Sequence, residues 1–169
     1  MQDWRQEYVE YVTVRIPALR RLAYHLCGDE HTADDLVQET ITKLYVHWKR
    51  ASDAMNLDAY VRSILVRTFL DDKRRGWSRV TRVATTPEQA AADSPSIEDR
   101  VVVRAALDRL PRRQRAVLVL RFLTDMSVLD VADALDCSAA TVKSQTFHGL
   151  ATLRRVLGEP AYVALIERT

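Results

Sequence analysis

Apolar residues recur along most of the chain at three- and four-residue spacing, the period of amphipathic helices, so the pattern predicts an all-α protein. Asp3 is placed to cap a first helix with Trp4, Tyr8, Val9, Tyr11 and Val12 on its apolar face. Pro17 then either kinks this helix or opens a second one, and Leu19, Leu22, Ala23 and Leu26 carry the stripe to a stop at Gly28. Thr32 to Asp35 forms an approximate capping box for the most regular helix, with Ala33, Leu36, Val37, Thr40, Ile41, Leu44, Tyr45 and Trp48 inward. Its other face carries Asp34, Asp35, Gln38, Glu39 and Thr42, either a solvated acidic surface or a docking face for a basic partner. Lys49 to Met55 reads as a polar loop with one apolar tip residue. Asn56 can cap the next helix, with Leu57, Tyr60, Val61, Ile64, Leu65 and Phe69 inward and Arg62, Arg67, Asp71 and Arg74 on the opposite side. Lys73, Arg74 and Arg75 end it.

From Gly76 to Ser96 the periodicity is lost, Pro87 and Pro95 appear, and the segment reads as a linker. Ile97 restarts helix with Val101, Ala105 and Leu110 on one side, and Pro111 separates this helix from a segment bearing Arg112, Arg113, Arg115 and Arg121. Val117, Leu118, Leu120, Phe122 and Leu123 of that segment are apolar supports for the pair of helices after it. Ser127 can cap a short helix with Val128, Val131, Ala132 and Leu135 inward. After a turn at Asp136 and Cys137, Ser138 can cap a long helix whose buried stripe is Val142, Thr146, Leu150, Leu153 and Leu157. Gly158 to Pro160 ends it, and Ala161 to Arg168 is consistent with a short final helix. Short helix, three-residue turn and long helix make a helix-turn-helix. On its outer face Ser138, Thr141, Lys143, Ser144, Gln145, Phe147 and His148 offer hydroxyls, an amide, a cation and rings suited to phosphates, base edges and thymine methyls. An ordinary helical hairpin with a polar outer face shares that geometry.

Charge sharpens the picture. The total is only +2, but residues 1–48 sum to −3, 49–82 to +5, 83–99 to −4 and 100–169 to +4. Two basic blocks flank one acidic strip, the outline of a protein that touches nucleic acid at two places. With 169 residues, 4 glycines and 5 prolines, the chain suits long helices and one modest core or two small ones. Its 2 cysteines, Cys27 and Cys137, sit in no bridging pattern, which fits a reducing cytoplasm. His25, Cys27 and His31 lack a fourth ligand and a convergent geometry, so no metal or other cofactor is expected. No stretch reaches a membrane span, and acids occupy the start where a signal peptide needs cations.

DDLVQETITKLYVHW followed by AYVRSILVRTFLDDKRR resembles region 2 of the extracytoplasmic-function (ECF) group of bacterial RNA polymerase sigma factors in the sigma-70 family. LPRRQRAVLVLRFLTDMSVLDVADALDCSAATVKSQTFHGLATLRR resembles region 4. The resemblance implies two small helical domains joined by a flexible linker: residues 1–75 as region 2, 76–96 as linker, 97–158 as region 4 and 159–169 as a tail. It implies a non-enzymatic factor that binds core polymerase, at the largest-subunit coiled coil and the flap, and directs it to promoter DNA. Asp34, Asp35, Gln38 and Glu39 match the polymerase-docking face. The segment containing Lys49, Arg50, Ser52 and Met55 matches the part that captures a flipped base of the minus-10 element, lined by Arg62, Arg67, Asp71, Arg74 and Arg75. Ser138, Thr141, Lys143, Ser144, Gln145, Phe147 and His148 match the minus-35 reading positions. The family often has a basic residue where Gln145 and His148 stand and something larger at Gly149, so either phosphate attraction is weaker here or the sequence preference differs. An anti-sigma factor is an expected further partner, and the free protein is expected to be a monomer.

A fully extended linker of this length reaches about 65 to 70 Å, while as a free coil it averages nearer 25 Å. Promoter elements about one and a half turns apart lie roughly 50 Å from each other. Polymerase must therefore hold the domains apart, and the free chain should bind promoter duplex poorly. A stand-alone helix-turn-helix regulator would instead bind an operator without polymerase, but no sensor-domain pattern supports it. A helical enzyme acting on phosphate esters would need convergent carboxylates; Asp34 with Asp35, and Asp71 with Asp72, are neighbours that point to different sides of their helices.

Overall fold

The computed structural model describes residues 3–71 and 97–167, with side chains from residue 100 onward in the second stretch. Among these residues every regular element is helical. The first half contains α1 (Trp4–Cys27), α2 (Glu30–Val46), α3 (Trp48–Ser52) and α4 (Leu57–Asp71). The second contains α5 (Ile97–Asp108), α6 (Arg112–Leu118) continuing into a π-helical turn (Val119–Leu123), α7 (Val128–Leu135), α8 (Ala139–Leu157) and α9 (Glu159–Glu167). The linker from Gly76 to Ser96, and Arg74 and Arg75 before it, lie outside the described residues.

Helix ends follow local chemistry. The Asp3 carboxylate accepts from the Arg5 amide at 3.1 Å, and Gly28, at φ +92°, closes α1 by donating its N–H to the Tyr24 carbonyl. Pro17 neither divides nor ends α1. Losing one backbone bond to proline costs about 3 kcal/mol, a cost that burial of Val12, Leu19, Leu22, Ala23 and Leu26 on both sides of it can offset. The capping box expected at Thr32 does not form. Asp29 is the cap instead, accepting from the Thr32 amide at 2.8 Å, so Thr32 is already inside α2. Lys49 to Met55 is also not all loop, because Trp48 and Ala51 are buried and fold residues 48–52 into the single turn of α3. Asn56 does cap α4, through the Ala59 amide at 3.0 Å.

Several inward assignments are corrected by packing, among them Tyr45, which is 41% exposed on α2 although its ring meets those of Trp4 and Tyr8. Val9 is 53% exposed, since α1 turns Tyr8, Tyr11 and Val12 toward α2 and α4 and leaves Val9 outside. In α5 the core side is Ala106 and Leu107 with Val103 partly buried, continued by Leu110 just after the helix, while Val101 and Ala105 face solvent. That face turns with Arg104, which is buried against the end of α1. Leu123 is exposed because the π-helical turn widens the chain: Leu120 accepts both from the Thr124 hydroxyl at 2.7 Å and from the Met126 amide at 3.1 Å.

Two helical units are present, and their apolar surfaces meet. One continuous cluster runs from Leu26, Leu65 and Phe69 of the first half into Val117, Leu120 and Val131 of the second. Helix α4 packs on α7, and α1 packs on α5, α6 and the π-helical turn. A smaller core, Ala106, Leu107, Leu110, Leu118 and Leu153, belongs to the second half alone; Tyr162 and Leu165 of α9 lean on it, giving the tail a packing role.

Candidate nucleic-acid interface

The helix-turn-helix is built by side chains that satisfy its free amides. Ser127 accepts from the Asp130 amide at 3.0 Å and donates to the Asp130 carboxylate at 2.8 Å, which starts α7. Asp136 takes the left-handed conformation at φ +51°, and Cys137 donates its amide to the Ala132 carbonyl, closing the turn. Ser138 then accepts from the Thr141 amide at 3.1 Å to start α8. Val142, Gly149 and Leu153 face the core. Gly149 is tight: a Cβ there would lie 3.0 Å from Leu118 Cδ1, so the small residue brings α8 close to α6.

The outer face of α8 presents Lys143, Ser144, Phe147 and His148 to solvent together. Phe147 is 71% exposed, with its ring edge-on to His148 at 5.5 Å. An aromatic ring left in water beside a cation and a hydroxyl suits contact with base edges and thymine methyls. Gln145 and Thr141 lie half-buried at the flank, and the Ser138 and Thr141 hydroxyls meet at 2.9 Å around the cap. Ala151 and Arg155 continue the exposed line by i+4 steps from Phe147, an extension that spacing alone could have added to the expected set.

On α2 the acids do share an open face. Asp34 pairs with Arg20 at 2.7 Å, Asp35 lies 3.9 Å from His31, Glu39 pairs with Lys43 at 3.0 Å, and Gln38 is exposed. Exposed pairs of this kind are worth about 0 to 1 kcal/mol, so another protein's cations can replace these at little loss.

At the end of the first half, Lys49, Arg50 and Ser52 are exposed around α3, and Met55 is fully exposed at the tip of the following turn. Tyr11 holds this end by donating to Asp58 at 2.7 Å, and Arg15 pairs with the same carboxylate at 2.8 Å. Burial, then the Asp58 bond, pushes the Tyr11 phenol far above its ordinary range. Arg62 is half-buried, and Asp71 and Arg67 stand on the exposed side of α4. Arg67 is engaged. Its guanidinium donates to the carbonyls of Ala134 at 2.6 Å and Asp133 at 2.8 Å, at the end of α7. Arg62 lines a groove between the halves with Arg15, His25, Val61 and Leu123, a hollow of about 250 Å³. Burial, reinforced by Arg104, Arg100 and Arg21, holds the His25 imidazole down to about 4, and its Nδ1 is buried without a hydrogen-bond partner.

These faces are joined by what the chain is similar to. It matches the sigma-70 region 2 family over residues 12–79 and sigma-70 region 4 over residues 100–153. It is 35% identical over 157 residues to the RNA polymerase sigma-E factor of Streptomyces coelicolor, covering 89% of this chain and 86% of that one. With the ECF RNA polymerase sigma factor EcfG of Rhodopseudomonas palustris it shares 31% identity over 150 residues, 86% of this chain and 82% of the relative. The chain belongs to the ECF sigma factors of the sigma-70 family. Among solved structures, the sigma factor RpoE of Bartonella quintana, in complex with the anti-sigma factor NepR, aligns with a TM-score of 0.74 at 26% identity, over 90% of this chain and 97% of that one. As a sigma factor the protein associates with core RNA polymerase and directs transcription initiation at promoters through minus-10 and minus-35 elements. Among the described residues no helix is long and apolar enough to cross a membrane.

Proposed function

We propose a division of labour for this sigma factor in which each exposed face has one partner. Asp34, Asp35, Gln38 and Glu39 dock on the coiled coil of the largest polymerase subunit, and region 4 meets the flap. Lys49, Arg50, Ser52 and the Met55 tip capture the non-template strand of the minus-10 element. Arg62, Arg67 and Asp71 line that strand, and Arg74 and Arg75 extend the same basic run. Residues 1–75 thus act as region 2 and residues 97–158 as region 4, joined by residues 76–96. Ser138 and Thr141 orient the start of α8, and Lys143, Ser144, Gln145, Phe147 and His148 read the minus-35 duplex. The factor is a monomer when free, acts without catalysis and works in the cytoplasm beside polymerase.

The observation that carries this reading is the joint exposure of Phe147, His148, Ser144 and Lys143 on a helix whose opposite side is buried. Run-off transcription with bacterial core polymerase on a randomised promoter library tests it. Selected promoters should share two short elements. Phe147→Ala should change preference only in the upstream one and Met55→Ala only in the downstream one; loss of both preferences in either variant would contradict the division. The likeness to a sigma factor solved with an anti-sigma protein also supports a protein inhibitor for this one. Copurification from native cells should recover such a partner in substoichiometric or equal amounts.

A further inference from the structure

The segment from Lys49 to Met55 is held by little of its own. Its described hydrogen bonds are local, from the Ala51 amide to the His47 carbonyl, from the Ser52 hydroxyl to the Lys49 carbonyl at 3.1 Å and from the Ala54 amide to the Ala51 carbonyl. Ala51 is buried, while Lys49, Arg50, Ser52 and Met55 are exposed. A single helical turn such as α3 is marginal by itself, so the shape of this segment is set at its two ends.

Helix α1 holds both ends. At the first, the buried Trp48 ring lies edge-on to Tyr8 at 5.4 Å and tilted against Tyr11 at 5.7 Å. Tyr8 is fixed in turn, since its hydroxyl donates to the Ile41 carbonyl at 2.7 Å. At the second, Asp58 in the first turn of α4 accepts from the Tyr11 hydroxyl at 2.7 Å and pairs with Arg15 at 2.8 Å. The Arg15 guanidinium also lies over the Tyr11 ring, 5.7 Å from its centre. Tyr11 thus meets both ends, its ring on Trp48 and its hydroxyl on a carboxylate 47 positions away in the chain. Burial and that carboxylate keep the phenol protonated, and so a donor, throughout the neutral range. A hydrogen bond to an ionised acceptor is among the stronger side-chain contacts.

We propose that Tyr11 is a positioning residue for promoter recognition: spanning Trp48 and Asp58, it holds the Met55 turn in the shape that receives an extruded base of the minus-10 strand. The inference rests on the reading of Lys49 to Met55 as the strand-capturing segment and deepens it. A turn already in its bound shape does not have to be ordered when the strand arrives, which strengthens binding without a new contact. The gain falls on the base. Attraction of phosphates to Lys49 and Arg50 is electrostatic and tolerates a looser turn, whereas an extruded base needs fixed walls to receive it. Loss of the strap should therefore cost discrimination more than it costs backbone attraction.

The test uses holoenzyme made with the full chain and Tyr11→Phe, which keeps the ring on Trp48 and removes only the hydroxyl. The probe is a fluorescent non-template strand bearing a minus-10 element selected in run-off transcription, compared with the same strand made abasic at each position of the element in turn; the largest loss marks the captured base. Wild type should prefer the intact strand over that abasic one by about tenfold or more. Tyr11→Phe should reduce the preference by about threefold, while the salt dependence of strand binding, association with core polymerase and minus-35 duplex binding stay as in wild type. Asp58→Ala should reproduce the loss, and adding Tyr11→Phe to it should cost nothing further, because the hydroxyl acts through that carboxylate. An unchanged preference in Tyr11→Phe, even with a lowered melting temperature, would make Tyr11 a structural residue only and overturn the proposal. So would a changed salt slope, or a double variant worse than Asp58→Ala by the full factor of the single change. Met55→Ala separates this from the underlying reading. If it lowers the preference and Tyr11→Phe does not, the capturing segment stands and the strap falls; a wild type indifferent to every abasic site would remove the capture reading and the strap with it.

Discussion

Helices α2 and α4 lie side by side with their apolar stripes turned to the same core, yet their outer faces meet different fates. The outside of α2 is open, its acids meeting Arg20, His31 and Lys43 at the surface. Part of the outside of α4 is met by α7, and Arg67 forms backbone hydrogen bonds there. Two polar helix faces, one acidic and one mainly basic, therefore start from different states. One is open to solvent, and the other is partly occupied by a helix of the same chain.

The largest effect should come from the open face. Asp35→Lys/Glu39→Lys places cations where a basic partner must dock, and association with core polymerase should weaken at least a hundredfold, about 2.7 kcal/mol. Because both side chains are partly exposed and make only surface pairs among the contacts described, the melting temperature should fall by no more than a few degrees. Fluorescence anisotropy with labelled core measures the first and thermal unfolding the second. Equal damage to both would mean that the α2 face is a structural surface, and the contrast with α4 would fail.

The covered side is tested by pH at His25, which lies in the groove between the halves. The folded chain binds a proton there only near pH 4, while an unfolded histidine does so near 6.5. Well above pH 6.5, at about pH 7.5 and higher, neither state carries the proton and stability is at its full value. As pH falls toward 4 the unfolded state gains protons first, and between pH 7.5 and 5 the native state should lose about 2 kcal/mol through this residue. Urea unfolding of wild type and His25→Gln at both pH values isolates the contribution, because other titrating groups cancel in the difference. A variant with the same pH slope as wild type would show that the imidazole is solvated and the seam open to water.

The contrast between α2 and α4 explains what was legible in the sequence. Capping serines, the αL glycine and the i, i+3, i+4 stripes act over a few residues, so Asp3, Gly28, Asn56, Ser127 and Ser138 could be assigned from spacing. The DDLVQE and LPRRQR segments carried the family. What covers the polar side of α4 depends on residues more than sixty positions away in the chain, and no local period reports it. The same reason hid the true face of α5, since Arg104 is buried only because the end of α1 supplies carbonyls for it. The start of α2 was misplaced for a smaller reason: Asp29 and Thr32 are both good caps, and only the path out of Gly28 decides between them.

The second half repeats the contrast within a single helix. One side of α8 is open, and the other presses Gly149 against Leu118, which is 3% exposed. Gly149→Val would gain helix propensity but drive a branched side chain into a filled space, with a net loss of about 1 to 3 kcal/mol. Chemical denaturation should show this loss, and minus-35 DNA binding by the folded fraction should be nearly unchanged. If the variant were as stable as wild type, Leu118 would have to move freely, and α8 would not be pinned in depth by this contact.

The smallest change is expected on the open side of α8 at Lys143. A lysine on an exposed helix face donates charge to the DNA backbone with little geometric demand, so Lys143→Ala should leave folding untouched and weaken duplex binding by a similar factor on every sequence. Removing one cation from a phosphate should reduce the slope of log affinity against log salt by about one unit. Phe147→Ala and Gln145→Ala should behave otherwise, changing which base pairs are preferred while keeping the salt slope, because neither carries a charge to neutralise a phosphate. Holoenzyme titrations at several salt concentrations on two promoters that differ only in the upstream element separate the two kinds of contact. If Lys143→Ala altered the ranking of the two promoters and left the slope alone, the cation would be reading a base edge, and the open face of α8 would be more specific than its chemistry implies.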